Sequence, residues 1–199
     1  MGQRDKLIDG AKRCLQELGY AHTTVRDITK VSGANLASIG YHFGSKDALL
    51  FEAMLEATTE WADKLKHVLA SDAAHADPTQ SRFESLWRSV IHTLDLDRPV
   101  FVTSLEVSTQ AERHPLLRRE LAGAQERARL ELGNWLITPL DPLPEQTRRA
   151  VGSFHLTVLT GLVVQRLIDP DRAPTPTELS QALRLIADYD QRPNGRIRG

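Results

Sequence analysis

The residues of this sequence whose types and spacing could carry a binding chemistry lie between positions 24 and 43. Val25, Ile28 and Val31 recur at three-residue steps, which predicts that they form the inner face of a short helix. Gly33 follows, and glycine accepts the positive φ that a tight turn between two helices requires. A second short helix after this turn would complete a helix-turn-helix, a motif whose second helix lies in the major groove of DNA.

The second helix of this segment has apolar anchors on one side and mostly small residues on the other. Ile39 and Phe43 are four residues apart, so they share the face that packs inward. The positions that then face outward are Leu36, Ala37, Gly40 and Tyr41. Small outward residues allow the helix backbone to approach the base edges, which carry the hydrogen-bonding pattern that distinguishes one DNA sequence from another.

The elements that position these residues are all predicted to be helical. Apolar residues recur at three- and four-residue steps along nearly the whole chain, and no run alternates with a period of two, so we expect an all-α protein. A first helix over 3–18 is predicted to stop at Gly19, while Thr24, Asn35 and Ser45 are predicted to cap the second, third and fourth helices. Further helices are predicted near 81–95, 99–111, 115–137, 144–168 and 176–189, with prolines at or near the breaks.

Composition places the 199-residue chain among ordinary globular proteins, with 41% hydrophobic and 26% charged residues. The N-terminus carries charges where a secretion signal would need an apolar run, and no segment has about 20 uninterrupted apolar residues. We therefore expect a cytoplasmic protein with no membrane partner. Cys14 lies on the apolar stripe of the first helix, which favours a buried, unreactive thiol over a redox sensor.

The net charge of −1 is less basic than is usual for a protein that binds nucleic acid. The charge is unevenly distributed, however, because the first 50 residues contain seven basic and five acidic side chains. The acidic excess therefore lies further along the chain. This asymmetry favours the N-terminal segment as the part that would meet phosphate.

Thr24, Gly33, the run Tyr41-His42-Phe43 and Lys46 occur together with the spacing of a known family signature. On these residues the chain resembles the TetR family of one-component regulators, over roughly positions 8 to 55. That signature is a threonine-capped helix, a glycine turn, and an aromatic-His-Phe ending followed by a lysine. The resemblance implies a DNA-binding transcription regulator, and it favours a repressor over an activator of the same fold.

The resemblance also implies that Thr24, Tyr41, His42 and Lys46 contact DNA phosphates. Physical chemistry agrees, because a helix N-terminus and a lysine both attract phosphate, and such contacts fix the register without reading the sequence. Arg26 could read a guanine. The alternatives are a surface ion pair for Arg26, a hydrogen-bonded packing role for His42 and a core position for Tyr41.

Base reading would fall to the helix that begins after Asn35. Two departures from the family pattern occur there, because Asn35-Leu36-Ala37 replaces a commoner polar-Gly sequence at the turn and Gly40 stands where tyrosine is frequent. The departures leave the predicted fold intact but make the operator sequence harder to infer. The candidate DNA-binding residues are Thr24, Arg26, Asn35, Leu36, Ala37, Ser38, Gly40, Tyr41, His42 and Lys46.

In the family that the chain resembles, the larger C-terminal part binds a small molecule and forms a dimer. Apolar residues occupy nearly all sides of the predicted helix over 150–168, so it must be covered all round. The predicted helix over 176–189 also has an apolar stripe. We therefore expect a homodimer in which both helices of each copy form a four-helix bundle, with an entirely intrachain core as the alternative.

A ligand cavity is expected to have apolar walls with few polar groups. The candidate ligand-binding residues are Trp87, Ile91, Phe101, Leu105, Ser108, Phe154 and Val158. The expected partners are thus a double-stranded DNA operator, a small-molecule effector and a second copy of the chain. A molecule that binds better to one spacing of the two DNA-binding units would shift the population away from the form that fits DNA.

Two other classes of protein compete with this hypothesis. An enzyme is disfavoured because the seven histidines form no HExxH or i, i+4 ligand pair, and the GxSxG and GxxxxGK[ST] patterns are absent. We accordingly expect no catalytic residue, cofactor or metal ion. A helical interaction module with no DNA role is the second alternative.

The predicted domain organisation has three parts. Residues 1–50 form a helix-turn-helix DNA-binding domain with its motif at 24–43, and residues 51–190 form a helical effector-binding and dimerisation domain. Residues 191–199 form a flexible tail.

Overall fold

The computed structural model describes residues 2–73, 81–112, 114–135 and 144–191, without the side chains of Ala73, Leu116 and Trp135. Within these ranges the chain forms nine helices and no strand, which confirms the all-α prediction. The helices are α1 (Gln3–Leu18), α2 (Val25–Ser32), α3 (Leu36–Phe43), α4 (Lys46–Ala73), α5 (Arg82–Leu96), α6 (Arg98–Gln110), α7 (Pro115–Trp135), α8 (Glu145–Ile168) and α9 (Pro176–Asp190). The tail predicted for 191–199 lies outside the described residues except for Gln191.

Local side-chain chemistry explains where the first helices begin and end. The predicted caps of α2, α3 and α4 are all present, because each side-chain oxygen accepts a backbone N–H from the first turn of its helix: Thr24 from Asp27 at 3.3 Å, Asn35 from Ala37 at 3.0 Å and Ser45 from Ala48 at 3.1 Å. Gly33 ends α2 at φ 66° and ψ 14°, the left-handed conformation that the predicted turn requires.

The N-terminal core joins the first four helices. Its centre is formed by Leu7, Ile8, Ile28, Leu49 and Leu50, which are all at least 98% buried. Val107 of α6 is also fully buried in this core, so a helix from the second half of the chain packs directly on the helix-turn-helix unit.

Val31 is an exception to the predicted inner face of α2, because its side chain is 38% exposed. The inward face of α2 is instead formed by Val25, Ile28 and Ser32, of which Ile28 and Ser32 lie close to Gly10 of α1. Ser32 lies so close to α1 that a Cβ added at Gly10 would stand 2.8 Å from the Ser32 Cβ. Ile28 and Ser32 are four residues apart and share the inward face of α2, and Val31 lies beside that face.

The C-terminal core lies between α4, α5, α6 and α8. Its buried members are Trp61, Leu65, Leu86, Trp87, Val90, Leu94, Val100, Phe101, Leu162 and Val163. α4 contributes to both cores, with Met54 in the first and Trp61 in the second. The domain division predicted at residue 50 falls inside this continuous helix.

Helices α7 and α8 approach each other closely enough to exclude side chains at two points. A Cβ added at Gly133 of α7 would stand 2.3 Å from the Arg148 backbone oxygen of α8. A Cβ added at Gly152 of α8 would stand 1.7 Å from the Arg129 backbone oxygen of α7. The two glycines therefore set the distance between the helices.

Among the residues that the structure describes, α8 is the one helix long and apolar enough to cross a membrane, with a mean hydropathy of 1.4. Composition alone is weak evidence, since core helices of soluble proteins share it. Here α8 packs on α7 and supplies Leu162 and Val163 to the C-terminal core. Its opposite side exposes Phe154, Val164 and Ile168.

Candidate nucleic-acid interface and adjoining cavities

The N-terminus of α2 is exposed and fixed by a reciprocal cap. The Asp27 carboxylate accepts hydrogen bonds from the Thr24 hydroxyl at 2.6 Å and from the Thr24 backbone N–H at 2.9 Å. These bonds hold the pKa of Asp27 below its usual value, and the bond from the Thr24 hydroxyl has the largest effect. The carboxylate therefore stays ionised. The cap fixes the position of Thr24, which stands in front of the positive end of the α2 dipole.

The outer face of α3 is open to solvent and lined by small or apolar side chains. Leu36 is 54% exposed and Ala37 is also exposed, while Ser38 is half-buried. Gly40 is exposed, and a Cβ built on it would meet nothing within 4 Å. On the opposite side Ile39 is only 4% exposed and joins the N-terminal core. The geometry leaves this face free to approach a groove.

The end of α3 presents two adjacent aromatic rings. Tyr41 is 85% exposed, which excludes the core position considered as its alternative. His42 is exposed as well, and the two rings meet edge to face with centroids 4.9 Å apart. The Tyr41 hydroxyl and the imidazole nitrogens of His42 are thus carried on the surface where α3 ends.

Lys46 lies at the start of α4 and binds the chain that leads into α2. Its Nζ donates to the Thr23 backbone oxygen at 3.0 Å and lies 5.8 Å from the centre of the Tyr20 ring. The Lys46 side chain remains 32% exposed. The sequence did not predict this hydrogen bond, which holds a positive charge next to the capped N-terminus of α2.

Arg26 is exposed in the first turn of α2. Its predicted alternative, an ion pair with a nearby acid, does not occur within the described part of the chain. The guanidinium is therefore available to a partner on the same side as the α2 N-terminus.

The larger cavity lies between α4, α6, α7 and α8 and has a volume of about 240 Å³. Aromatic rings of Trp61 and Phe101 meet at its wall, edge to face, with centroids 4.9 Å apart. The remaining wall residues are Met54, Leu55, Thr58, Ala62, Ser104, Leu105, Ser108, Leu121, Ala124, Gln125, Ala128, Glu131, Leu132, Leu156, Leu159, Thr160 and Val163. A mostly apolar wall with a few polar groups suits a small organic molecule.

The candidate ligand-binding residues do not all share this cavity. Phe101, Leu105 and Ser108 line it. The other four lie elsewhere: Trp87 lines a smaller neighbouring cavity, Ile91 and Val158 pack against the C-terminal core, and Phe154 is 44% exposed on the outer side of α8. The side of α8 that faces the larger cavity carries Leu156, Leu159, Thr160 and Val163. An apolar residue on every side of a helix gives no sign of which side faces the cavity.

The sequence reasoning missed the contribution of α4 to the cavity. Met54, Thr58 and Trp61 line it, and Leu65 continues the same stripe into the C-terminal core. The positions 54, 58, 61 and 65 follow one helix face, so the periodicity was present in the sequence.

α6 has one face toward the larger cavity and another toward the helix-turn-helix unit. Phe101, Leu105 and Ser108 face the cavity, whereas Val107 lies in the N-terminal core. The Glu106 carboxylate accepts the backbone N–H of Tyr20 at 2.7 Å, in the segment between α1 and α2. A single helix thus contacts both parts of the molecule.

Comparison with known proteins identifies the family. The profile described as bacterial regulatory proteins, tetR family, matches residues 7–53, and the profile described as tetracyclin repressor-like, C-terminal domain, matches residues 78–188. The chain is a member of the TetR family. It is a DNA-binding transcriptional regulator with an N-terminal helix-turn-helix.

One curated relative matches most of the chain, and a second matches less than a third of it. The HTH-type transcriptional regulator BetI of Burkholderia thailandensis is 25% identical over 94% of this chain and 91% of its own length. The HTH-type transcriptional repressor Rv1474c of Mycobacterium tuberculosis is 40% identical over 60 residues, which are 30% of this chain and 32% of that protein.

The crystal structure of multidrug binding protein EbrR complexed with imidazole is similar over 100% of this chain and 99% of that one, with a TM-score of 0.64 and 26% identity. The EbrR complex with proflavin also has a TM-score of 0.64, at 25% identity, over 92% of this chain and 99% of that one.

Proposed function

We propose that this TetR-family protein is a repressor that a small organic molecule releases from its operator. The observation that carries the proposal is the position of α6, which borders the larger cavity on one face and packs on the helix-turn-helix unit on the other. A molecule that fits the cavity better in one position of α6 favours one arrangement of the DNA-binding helices. The same geometry supports regulation over catalysis as the role of the cavity.

The DNA contacts follow from exposure and charge. Thr24, Tyr41, His42 and Lys46 contact phosphates, because they surround the α2 N-terminus and the end of α3 with hydrogen-bonding and cationic groups. The base-reading surface is the open face of α3 together with Arg26, and it consists of Asn35, Leu36, Ala37, Ser38, Gly40 and Arg26. A bulky side chain at Gly40 would hold this surface away from the bases.

The effector is a small, largely apolar molecule with an aromatic ring. The cavity of about 240 Å³ is below the usual range for drug-sized ligands, and Trp61 and Phe101 offer aromatic walls. The EbrR complexes with imidazole and proflavin support an aromatic ligand for a protein of this fold and similarity.

Two copies of the chain pair through α8 and α9. The exposed large apolar residues of α8 are Phe154, Val164 and Ile168, and those of α9 are Leu185, Ile186 and Tyr189. One chain leaves both stripes uncovered, which disfavours the entirely intrachain core. A four-helix bundle with a second copy covers them and places two DNA-binding units on half-sites about 34–36 Å apart.

One relative and a steric argument support the repressor role. A protein that is 40% identical to this chain over 60 residues is named as a repressor. A dimer that covers two half-sites within a promoter excludes polymerase from the same DNA. Such a protein resides in the cytoplasm, where it has access to the chromosome.

The proposal is tested by fluorescence anisotropy with labelled duplex DNA from the region upstream of its own gene. We expect binding that proflavin reverses. In the variant Leu105→Trp, a larger side chain fills the cavity, so the operator still binds but proflavin no longer releases it. Leu96→Trp is the control, because Leu96 is 68% exposed outside the cavity. Failure to bind any such duplex specifically would contradict the proposal.

The dimer is tested by sedimentation of the variant Ile168→Glu. A charge placed in an apolar interface is strongly unfavourable, so this variant should be monomeric at micromolar concentration and lose operator binding while its helical content is kept. Leu96→Glu introduces the same charge at another exposed leucine and should remain dimeric. A dimeric Ile168→Glu would place the interface elsewhere.

A further inference from the structure

A smaller cavity of about 10 Å³ lies next to the larger one, and its wall has an unusual polarity. Trp61, Trp87 and His155 line it together with the apolar residues Leu86, Val90, Leu132 and Leu159. Four buried side-chain nitrogens have no hydrogen-bond partner within the described ranges, and three of them belong to these lining residues: Trp61 Nε1, Trp87 Nε1 and His155 Nδ1. Most of the buried side-chain nitrogens without a hydrogen-bond partner in the described structure therefore belong to residues that line the smaller cavity.

The three side chains are held by ring contacts, and none of these contacts gives the three nitrogens a hydrogen bond. His155 stacks on Trp87 with centroids 5.9 Å apart and also meets the rings of Phe83 and Phe154. Each of the three lining residues is at least 96% buried. A buried polar group without a partner is costly, and native proteins retain few of them. Three around one cavity indicate that a bound group satisfies them.

The chemistry of the nitrogens specifies what that group must be. An indole N–H can only donate, so Trp61 and Trp87 both require an acceptor. Burial lowers the pKa of His155 to about 4, so the imidazole is uncharged at neutral pH. No cation lines the smaller cavity to pair with a buried anion. The matching group is a neutral acceptor such as a carbonyl oxygen.

The smaller cavity is separated from the larger one only by side chains that line both. Trp61, Leu132 and Leu159 are common to the two walls. A volume of about 10 Å³ holds at most a single water molecule, so a ligand group can enter only if Leu132 or Leu159 changes rotamer. Such rotamer changes are small and fast on the scale of ligand binding.

We propose that the smaller cavity is the inner subsite of the larger one, and that it takes a neutral hydrogen-bond-accepting group of the effector between the indole N–H groups of Trp61 and Trp87. This inference rests on the proposed function of the larger cavity as the effector site. The effector is thus an aromatic or apolar molecule that carries a carbonyl or a comparable acceptor at one end.

The test uses two probe molecules of nearly equal size, acetophenone and ethylbenzene, of which only the first has an acceptor. Both are titrated into the full-length protein labelled with ¹⁵N, and the indole N–H signals are assigned with Trp61→Phe and Trp87→Phe. We expect acetophenone to bind more tightly than ethylbenzene and to shift both indole signals downfield. In Trp87→Phe, which removes the N–H and keeps an aromatic ring, this preference should fall about two- to tenfold.

Phe83→Leu is the matched control, because Phe83 contacts Trp87 and His155 but contributes no nitrogen. It should leave the ratio of the two dissociation constants unchanged. Any of three results would overturn the subsite: equal affinity for the two probes, an unchanged affinity ratio in Trp87→Phe, or a protein that binds proflavin but neither probe. A lone water would then account for the cavity. The larger cavity would keep its proposed role in all three cases. Binding of none of the three molecules would defeat the proposed function itself.

Discussion

Lys46 combines a structural bond with a charge suited to phosphate. Its Nζ donates to the Thr23 oxygen and remains partly exposed beside the N-terminus of α2. We predict that Lys46→Ala weakens binding to all DNA sequences and reduces the slope of log K against log salt concentration by about one. Lys46→Arg keeps the charge and should keep the slope. Fluorescence anisotropy at salt concentrations from about 50 to 200 mM measures this slope. An unchanged slope in Lys46→Ala would remove Lys46 from the phosphate contacts.

His155 should make the stability of the protein depend on pH. Burial lowers its pKa from the usual value of 6.5 to about 4, so between these values the unfolded chain binds a proton that the folded chain excludes. The stabilisation is complete above pH 6.5 and is lost as the pH falls toward 4, by at most about 3 kcal/mol.

Urea unfolding of the wild type and of His155→Phe at a series of pH values checks this prediction. The variant should lose less free energy of unfolding than the wild type over that interval. His92→Phe replaces an exposed histidine and should behave like the wild type. Parallel curves for the wild type and His155→Phe would contradict the prediction.

The exposed residues of α3 could be predicted from sequence because their positions depend on local signals. Asn35 caps the helix, Gly33 sets the turn, and Ile39 marks the inward face. The cavity depends on contacts between distant segments. Phe154 and Trp87 were assigned to it on apolar character alone, and that character is shared by the cavity wall, the core and the proposed dimer face.

At the scale of elements, Gly152 should be a point where α7 and α8 cannot tolerate a side chain. The added Cβ of Gly152→Ala would stand 1.7 Å from the Arg129 backbone oxygen, so the helices must separate. We predict a loss of about 1–3 kcal/mol, as in other overpacked cores. Gly123→Ala in α7 is the control, because its Cβ would meet only the end of the Arg127 side chain at 3.5 Å. Thermal unfolding compares them, and equal Tm values would refute the close packing.

Helix boundaries were predictable to within two residues wherever both the prediction and the described chain cover them. α1, for example, begins at Gln3 and ends at Leu18 as expected. Caps and prolines act over one helical turn, which is why the sequence carries this information. The error at Val31 arose because an eight-residue helix offers two nearly equivalent stripes. Which one faces inward is decided by the close contact with Gly10 of α1.

At the scale of the whole molecule, the two cores are joined by helices that belong to both. α4 runs continuously from Lys46 to Ala73, and α6 carries Val107 into the N-terminal core. Movement of the cavity wall on α6 must therefore be accommodated in the helix-turn-helix unit, because packed cores do not deform continuously. Periodicity in the sequence predicts each helix separately and gives no sign that α6 is shared.

Glu106 provides the most direct polar connection along this route. Its carboxylate accepts the Tyr20 backbone N–H at 2.7 Å, while Leu105 and Ser108 of the same helix line the larger cavity. Under the proposed function, a shift of α6 on effector binding would reach the segment that leads into α2 through this bond. We predict that Glu106→Ala still binds proflavin and still binds the operator. The factor by which saturating proflavin weakens operator binding should fall about tenfold, the size expected for one hydrogen bond to a charged group.

The measurement compares the operator dissociation constant with and without saturating proflavin in each variant. Glu106→Gln retains an acceptor oxygen and should restore part of the coupling. Glu112→Gln alters an exposed carboxylate just after the end of α6 and should leave the coupling at the wild-type value. If Glu106→Ala kept the full coupling, the Glu106 contact would not transmit the signal. The packing of Val107 of α6 in the N-terminal core, or α4, would then carry it.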